Sequence, residues 1–370
     1  MTSRERMLAA YRCTQPDRVP INVRGVPARN EAWVKARHPS YRPLIELVAA
    51  ECDLVGGYGA SRGWLLTASD EVRFERRSHD SPDWTYEETI AHTPKGPLNF
   101  VTRVSKHEYS SLTHKFWISD DADLDRFLSV PYVPPRPDVS TFPQAQAEMG
   151  ERGVLMIGSP DPIAHVHELL GSEKLGFWSI ERRETIDRLV EMFTERLLAW
   201  FDHLLGNGVR GVFGFAGAEY VAPPLMSPRH FGEWVAKPMK RIADRIHAAG
   251  SLVHIHCHGP LDAVLEQFEE MGSDALHPIE APLMGNVPLA DAKRRIGRKV
   301  CLEGNIQIGD LYAGSEEEIH DAVKRAIDEG APGGGFVLCP TASPFTPVLP
   351  KRALRNYLAM IETGLKYGKY

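Results

Sequence analysis

The stretch SLVHIHCHGPLDAVLEQFEEMGSDALHPIE (251–280) decides the fold. Residues 251–259 have the apolar pattern of a short strand, a helix pattern then runs to Met271, and a second strand pattern occupies 275–280. Two short strands joined by a helix are typical of one β/α unit in a parallel sheet. This stretch therefore predicts a chain built from repeated strand–helix units.

The same alternation continues on both sides of this stretch. Two shorter strands come before residue 60, and with them the chain has about eight β units. This number predicts an α/β fold of the (β/α)8 TIM-barrel type, and no Gly-x-Gly-x-x-Gly motif follows the first strand to favour a Rossmann domain. The other predicted strands are 17–23, 53–57, 153–160, 208–220, 299–305 and 335–340.

Residues 60–130 depart from the strand–helix alternation. Apolar and polar residues alternate there and turn residues separate the runs, which predicts a small antiparallel sheet. A connector with five prolines follows at 131–143. We predict a single barrel domain over residues 1–370, with a β-rich insertion at 60–130.

The composition argues against several classes of protein. The chain has 370 residues, a formal net charge of −6 and no basic run, so nucleic-acid binding is not predicted. No apolar stretch approaches the roughly 18 residues of a membrane span, and the first residues contain no apolar leader. Five scattered cysteines, an odd number, favour reduced thiols in a cytoplasmic protein.

A cluster of histidines lies on the strand at 251–259. Successive side chains of a strand point to opposite faces, so His254, His256 and His258 share one face and Cys257 points to the other. Two imidazoles spaced in this way can chelate one cation, and zinc accepts imidazole together with carboxylate or thiolate ligands. We predict His256 and His258 as metal ligands, His254 as a hydrogen-bonded core residue and Cys257 as structural.

Other polar side chains follow neighbouring strands at the same edge of the sheet. Glu280 is either a further ligand or a salt-bridged carboxylate at the rim, and Cys339 is either a thiolate ligand or a buried, inert thiol. Glu219 is a competing ligand, a general acid or base, or a loop carboxylate. Glu303 and Asn305 share one face of their strand, which predicts a polar contact with a substrate.

Several motifs resemble the uroporphyrinogen decarboxylase superfamily. They are the opening RERMLAAYRCTQPDRVPI (4–21), the histidine-bearing strand that ends at Gly259, LEGNIQ (302–307), and the closing GFVLCPTASPF (335–345) and NYLAMIETGL (356–365). The superfamily contains decarboxylases and zinc-dependent, cobalamin-linked methyltransferases, and both are (β/α)8 barrels. The decarboxylases carry Arg-Gln-Ala-Gly-Arg after the first strand and an aspartate in a Phe-Ser-Asp context, whereas this chain has NVRGVPARN (22–30) and DLVGGYGAS (53–61).

The spacing of the candidate ligands resembles the methyltransferase branch. That branch uses His-x-Cys on one strand, a carboxylate on the next, and a cysteine after the last strand. The resemblance implies zinc held by His256, His258, Glu280 and Cys339. Two positions depart from the pattern, because His258 replaces the first cysteine and Ala342 occupies the place of the last.

The resemblance implies an enzyme that moves a methyl group between a small methoxylated substrate and either a corrinoid protein or tetrahydrofolate. Glu219 would manage the proton, with Glu303 and Asn305 as further catalytic contacts. The chain has no Asp-x-His-x-x-Gly motif, so a corrinoid would arrive on a partner protein. Two alternatives are a decarboxylase of a small carboxylic acid or a tetrapyrrole, using Arg24 and Arg29, and a non-catalytic subunit that binds a corrinoid protein.

Overall fold

Two sheets organise the molecule, which the computed structural model describes over all 370 residues. Seven strands form a curled parallel sheet in the order β1-β6-β7-β8-β9-β10-β11, and four strands form an antiparallel sheet in the order β2-β3-β4-β5. The strands are β1 (Leu54–Tyr58), β2 (Arg73–Asp80), β3 (Trp84–Thr93), β4 (Gly96–Ser105), β5 (Ser111–Lys115), β6 (Gly153–Pro160), β7 (Val212–Ala216), β8 (Leu252–His256), β9 (Ala275–His277), β10 (Cys301–Ile306) and β11 (Phe336–Pro340).

Helices connect most of the parallel strands, and the prediction of an α/β fold is confirmed. No helix of the structure combines the length and the apolar character needed to cross a membrane. The helices are α1 (Ser3–Tyr11), α2 (Glu31–Ala36), α3 (Arg42–Glu51), α4 (Asp121–Leu128), α5 (Phe142–Met149), α6 (Pro162–Glu181), α7 (Arg183–Gly206), α8 (Pro228–Phe231), α9 (Lys237–Ala248), α10 (Leu265–Glu270), α11 (Leu289–Ile296), α12 (Ile308–Ala313), α13 (Glu316–Gly330) and α14 (Lys351–Tyr367).

The predicted strand at 17–23 is not a strand in the structure. Only an isolated parallel bridge joins Ile21 to Leu338 of β11, because Pro20 has no N–H with which to extend a ladder. The carbonyl of Ile21 also accepts from the amide of Asp53, just before β1 (2.8 Å). This segment therefore occupies the gap between the two edge strands of the seven-stranded sheet.

Helix α1 covers the amino-terminal ends of the parallel strands. Its capping box forms as Thr2 and Glu5 predict. Met7 and Tyr11 pack in a small apolar cluster with the first residues of the strands, including Val212 and Val337. Because α1 fills this end of the curled sheet, the carboxyl ends of the strands form the accessible end.

The antiparallel sheet β2–β5 lies inside the range 60–130, and the chain that leaves β5 packs against helix α6. Gly171 of α6 has a φ of 73°, and the ring of Phe116 lies 2.5 Å from the place that a Cβ at Gly171 would occupy. Only glycine combines this backbone conformation with so close an approach. The kink in α6 therefore accommodates the chain that leaves β5.

Candidate functional site

A cavity of about 540 Å³ opens at the carboxyl ends of β6, β7 and β8. Gly158, Ala216 and His256 contribute from the parallel strands, while Phe100 and Phe116 contribute from the region of the antiparallel sheet. The insertion thus forms one wall of a cavity at the end of the sheet where barrel enzymes build their active sites.

His256 and His277 face each other across neighbouring strands β8 and β9. Their Nδ1 atoms are 2.9 Å apart, and the second ring nitrogen of His277 lies 3.0 Å from the carbonyl oxygen of Pro340. Burial, with the charge of Arg24 in addition, lowers the pKa of His256 to about 2 and that of His277 well below its ordinary value. Both rings are therefore neutral at physiological pH.

His258 lies beyond the end of β8 and not on the strand that the sequence predicts. Its ring centroid is 4.6 Å from that of His256, and its Nδ1 lies 3.3 Å from Oε2 of Glu280. The amide of Gly259 donates to the same carboxylate oxygen (2.9 Å). Burial alone would raise the pKa of Glu280, but His258 and this amide hold it below its ordinary value. The side chain of His258 is 38% exposed, so it lies at the rim of the site.

The two cysteines near these histidines are both fully buried. Cys257 follows the last residue of β8 and packs in the apolar core, whereas His256 lines the cavity. The sulfur of Cys339 lies 3.9 Å from Oδ1 of Asn22, and Glu303 is also its neighbour. Burial raises the pKa of both thiols well above its ordinary value, so both are thiols at neutral pH.

The donors of the predicted zinc site lie side by side but do not converge on one point. No group of three or more His, Cys, Asp or Glu side chains in the structure is arranged to hold a metal ion. His256, His258 and Glu280 are nevertheless contiguous, and imidazole and carboxylate are donors that zinc accepts. Their chemistry fits zinc, whereas Cys339 stays a predicted ligand whose surroundings do not favour that role.

A second polar layer lies deeper in the sheet, below His256. His254 Nε2 and Glu303 Oε2 are 3.0 Å apart, and the hydroxyl of Tyr11 donates to the same oxygen (3.4 Å). Burial alone would raise the pKa of Glu303, but His254 and then the charge of Arg24 bring it below its ordinary value. Glu303 is therefore a buried carboxylate, and Asn305 is only half-buried and does not line the cavity of about 540 Å³.

Glu219 lines the cavity near a second, buried carboxyl group. Its Oε2 accepts from the amide of Gly217 (3.2 Å). Asp161 accepts from the amide of Ala164 at the start of α6 (2.8 Å), and burial, with the charge of Glu219 in addition, raises the pKa of Asp161 well above its ordinary value. The amide of Gly217 thus holds one carboxyl oxygen of Glu219 at the wall of the cavity.

The sequence predicted no role for several residues at this end of the sheet. His277 lies beside the cavity as the partner of His256, and its place at the end of a strand was the one available signal for it. Arg62 donates to the carbonyl of Gly158 (2.8 Å), and the ring of His167 stacks on Tyr220 with centroids 3.6 Å apart. Arg62, His167 and Tyr220 come from loops and from α6, where no strand pattern indicates which way a side chain points.

The comparisons with known proteins match one family model and several curated relatives. The family model described as "Uroporphyrinogen decarboxylase (URO-D)" matches residues 157–367. Uroporphyrinogen decarboxylase from Shewanella piezotolerans is 29% identical over 171 residues, which are 45% of this chain and 45% of that protein. The enzyme from Shewanella halifaxensis is 28% identical over 203 residues, 53% of this chain and 54% of that protein. The chain thus spans about half the length of the curated relatives that it matches.

A solved structure matches over nearly the whole chain. It is a methyltransferase from Methanosarcina mazei, with a TM-score of 0.63, 18% sequence identity, and coverage of 99% of both chains. At this level of identity the likeness shows that the two proteins share a fold.

Proposed function

Because the chain belongs to the uroporphyrinogen decarboxylase family, we propose that it is a zinc-dependent methyltransferase of that family and not a tetrapyrrole decarboxylase. The observation that carries the proposal is the contiguous set of His256, His258 and Glu280 beside the cavity. The shared fold with a methyltransferase supports it.

In this proposal His256, His258 and Glu280 hold the zinc ion. When bound, zinc supplies Lewis acidity that polarises the heteroatom carrying or receiving the methyl group. A zinc ion held by two imidazoles and one carboxylate would accept an oxygen atom as a further ligand. A methoxylated substrate therefore fits this ligand set better than a thiolate substrate. His256 is half-buried and lines the cavity, so its imidazole is within reach of a bound substrate.

The side chains of the cavity handle the substrate and the proton. The C–O bond of a methyl ether breaks with its electron pair left on oxygen, the methyl group passes to a nucleophilic atom of the carrier, and the oxygen takes up a proton. Glu219, whose Oε2 accepts from the amide of Gly217, would take up a proton from solvent and deliver it to this oxygen. A corrinoid protein or tetrahydrofolate supplies the acceptor atom from outside, because the chain has no cobalamin motif of its own.

A labelled methyl ether tests this function. The protein is incubated with an ether that carries ¹³C in its methoxy group, with and without a purified corrinoid protein or tetrahydrofolate. We expect a ¹³C-methylated carrier and the demethylated product only when a carrier is present. Glu219→Gln should slow turnover by about 10²-fold or more while keeping zinc, whereas Glu184→Gln, an exposed carboxylate of α7, should change neither.

A decarboxylase remains a second candidate because of two arginines. Arg24 and Arg62 both line the cavity, where an anionic substrate could neutralise them. By contrast, Arg29 is exposed and lies outside this cavity. Release of carbon dioxide from a carboxylated substrate, with no methylated carrier under any condition, would replace methyl transfer with this reaction.

A further inference from the structure

His277 and His256 form a direct pair across two neighbouring strands. His256 of β8 is the register partner of His277 of β9, and their ring planes are inclined by only 16° with centroids 5.1 Å apart. His277 is fully buried, so its two nitrogen atoms have no access to water. Each nitrogen has one protein partner. Nδ1 of His277 lies 2.9 Å from Nδ1 of His256, and Nε2 of His277 lies 3.0 Å from the carbonyl oxygen of Pro340.

These two contacts fix which nitrogen carries the proton in each ring. A carbonyl oxygen only accepts, so Nε2 of His277 must carry the hydrogen that Pro340 receives. In a neutral imidazole the other nitrogen carries no hydrogen and accepts through its lone pair, so Nδ1 of His277 is an acceptor. A lone pair at that position requires Nδ1 of His256 to be the donor. Nε2 of His256 consequently keeps its lone pair free.

We propose that His277 is a positioning residue that locks His256 into the tautomer with its Nε2 lone pair available at the cavity. Its effect on zinc rests on the proposed function, but the tautomer itself does not. Buried partners that fix the tautomer and the orientation of a ligating imidazole typically change metal affinity by 10–100-fold. His277 would hold His256 ready before any metal arrives.

The tautomer can be read directly from the metal-free wild-type protein. The full-length chain is labelled with ¹⁵N-histidine, and two-bond ¹H–¹⁵N spectra distinguish protonated from unprotonated ring nitrogens. The signals of His256 are identified by their loss in His256→Gln. We expect a proton on Nδ1 of His256 and on Nε2 of His277. A proton on Nε2 of His256, or on Nδ1 of His277, would overturn the proposal.

Zinc titration of two variants measures the consequence. His277→Phe removes both polar contacts and should weaken zinc binding 10–100-fold, whereas His277→Asn retains an oxygen that can accept from His256 and should stay within a few-fold of wild type. His320→Phe, on the distant helix α13, controls for adventitious binding. Equal loss in both His277 variants would contradict a positioning role.

Failure of this inference can be separated from failure of the proposed function. If the wild-type protein bound no zinc, the function would fail while the tautomer measurement still decided the role of His277. If His277→Phe did not fold, the wild-type spectrum and His277→Asn would decide it. A wild-type His256 with mixed tautomers would overturn it in either case.

Discussion

Asp161 is a fully buried carboxyl group whose titration should affect stability. Burial raises its folded-state pKa well above the ordinary value of 3.8. Its contribution to stability is therefore complete below that ordinary value and is lost as pH rises through the raised one. Asp161→Asn keeps the oxygen that caps α6 and removes this titration.

We expect Asp161→Asn to lose less stability than wild type as the pH rises above the ordinary carboxyl pKa of 3.8 in thermal unfolding. Asp161→Ala serves as the control, because it also loses the cap and should be destabilised at every pH by about 1 kcal/mol. A pH dependence of Asp161→Asn identical to that of wild type would contradict the raised pKa.

At the scale of single residues, strand parity was an adequate guide within a strand but not beyond its end. It correctly directed His254 and His256 to the same side of β8, where both line the cavity. Cys257 already lies past the end of β8, and its burial in the apolar core does not test strand parity. Strand parity misplaced His258 because β8 ends at His256, and side chains no longer alternate in the loop that follows. The partnership with His277 depends on the register between β8 and β9, and one sequence does not contain that register.

Among the structural elements, the antiparallel sheet lies where it can act on the substrate. Phe116 follows β5, lines the cavity and packs edge-on against His167, with ring centroids 5.3 Å apart. Phe116→Ala should raise the KM for the substrate about tenfold, as expected for a lost aromatic contact of about 1.4 kcal/mol, and leave zinc content unchanged.

Leu112→Ala is the matched control for Phe116, because Leu112 lies on β5 with 49% of its surface exposed. Its KM should equal that of wild type. Equal KM values for the two variants would mean that the sheet is a structural appendage and not a wall of the working site.

The elements with strong local signals were predictable from the sequence. Ser315 and Glu318 have the spacing of a capping box, and α13 begins there with both hydrogen bonds of the box formed. Strand β6 has the predicted bounds of 153–160. The prediction of a strand at 17–23 was wrong: its apolar residues resemble a strand, but Pro20 has no N–H and the segment makes only two isolated bridges, at Arg18 and at Ile21. A hydrophobic pattern does not show that a backbone N–H is missing, so the sequence predicted eight strands where the sheet has seven.

For the whole molecule, Asp53 ties the two edges of the curled sheet together. It is fully buried, contacts Arg6 (2.7 Å) and Arg18 (2.8 Å), and accepts from the amide of Ile21 (2.9 Å). These contacts join α1 and the bridging segment to the start of β1. Removing a carboxylate from a buried ion pair leaves the positive charges of its arginine partners without a counter-charge.

Asp53→Ala should lower the free energy of unfolding by about 3–5 kcal/mol in a denaturant titration. Asp17→Ala provides the comparison, because Asp17 also contacts Arg6 but is 42% exposed, and its loss should cost about 1 kcal/mol or less. Similar losses in the two variants would show that the closure at Asp53 does not control global stability.

The cavity as a whole could be predicted only in part. The order of the predicted strands placed the polar residues at one end of the sheet. The wall formed by Phe100 and Phe116 comes from an insertion, and no local sequence pattern shows where that insertion packs. The division into one domain of residues 1–370 with an insertion at 60–130 stays a prediction, as does the metal.

Elemental analysis of the purified protein decides whether this chain has a zinc site. We expect close to one zinc per chain, lost in His256→Ala and in His258→Ala and retained in Cys257→Ser, whose sulfur is buried in the apolar core. A wild-type protein without zinc, or an equal loss of zinc in Cys257→Ser, would contradict this expectation.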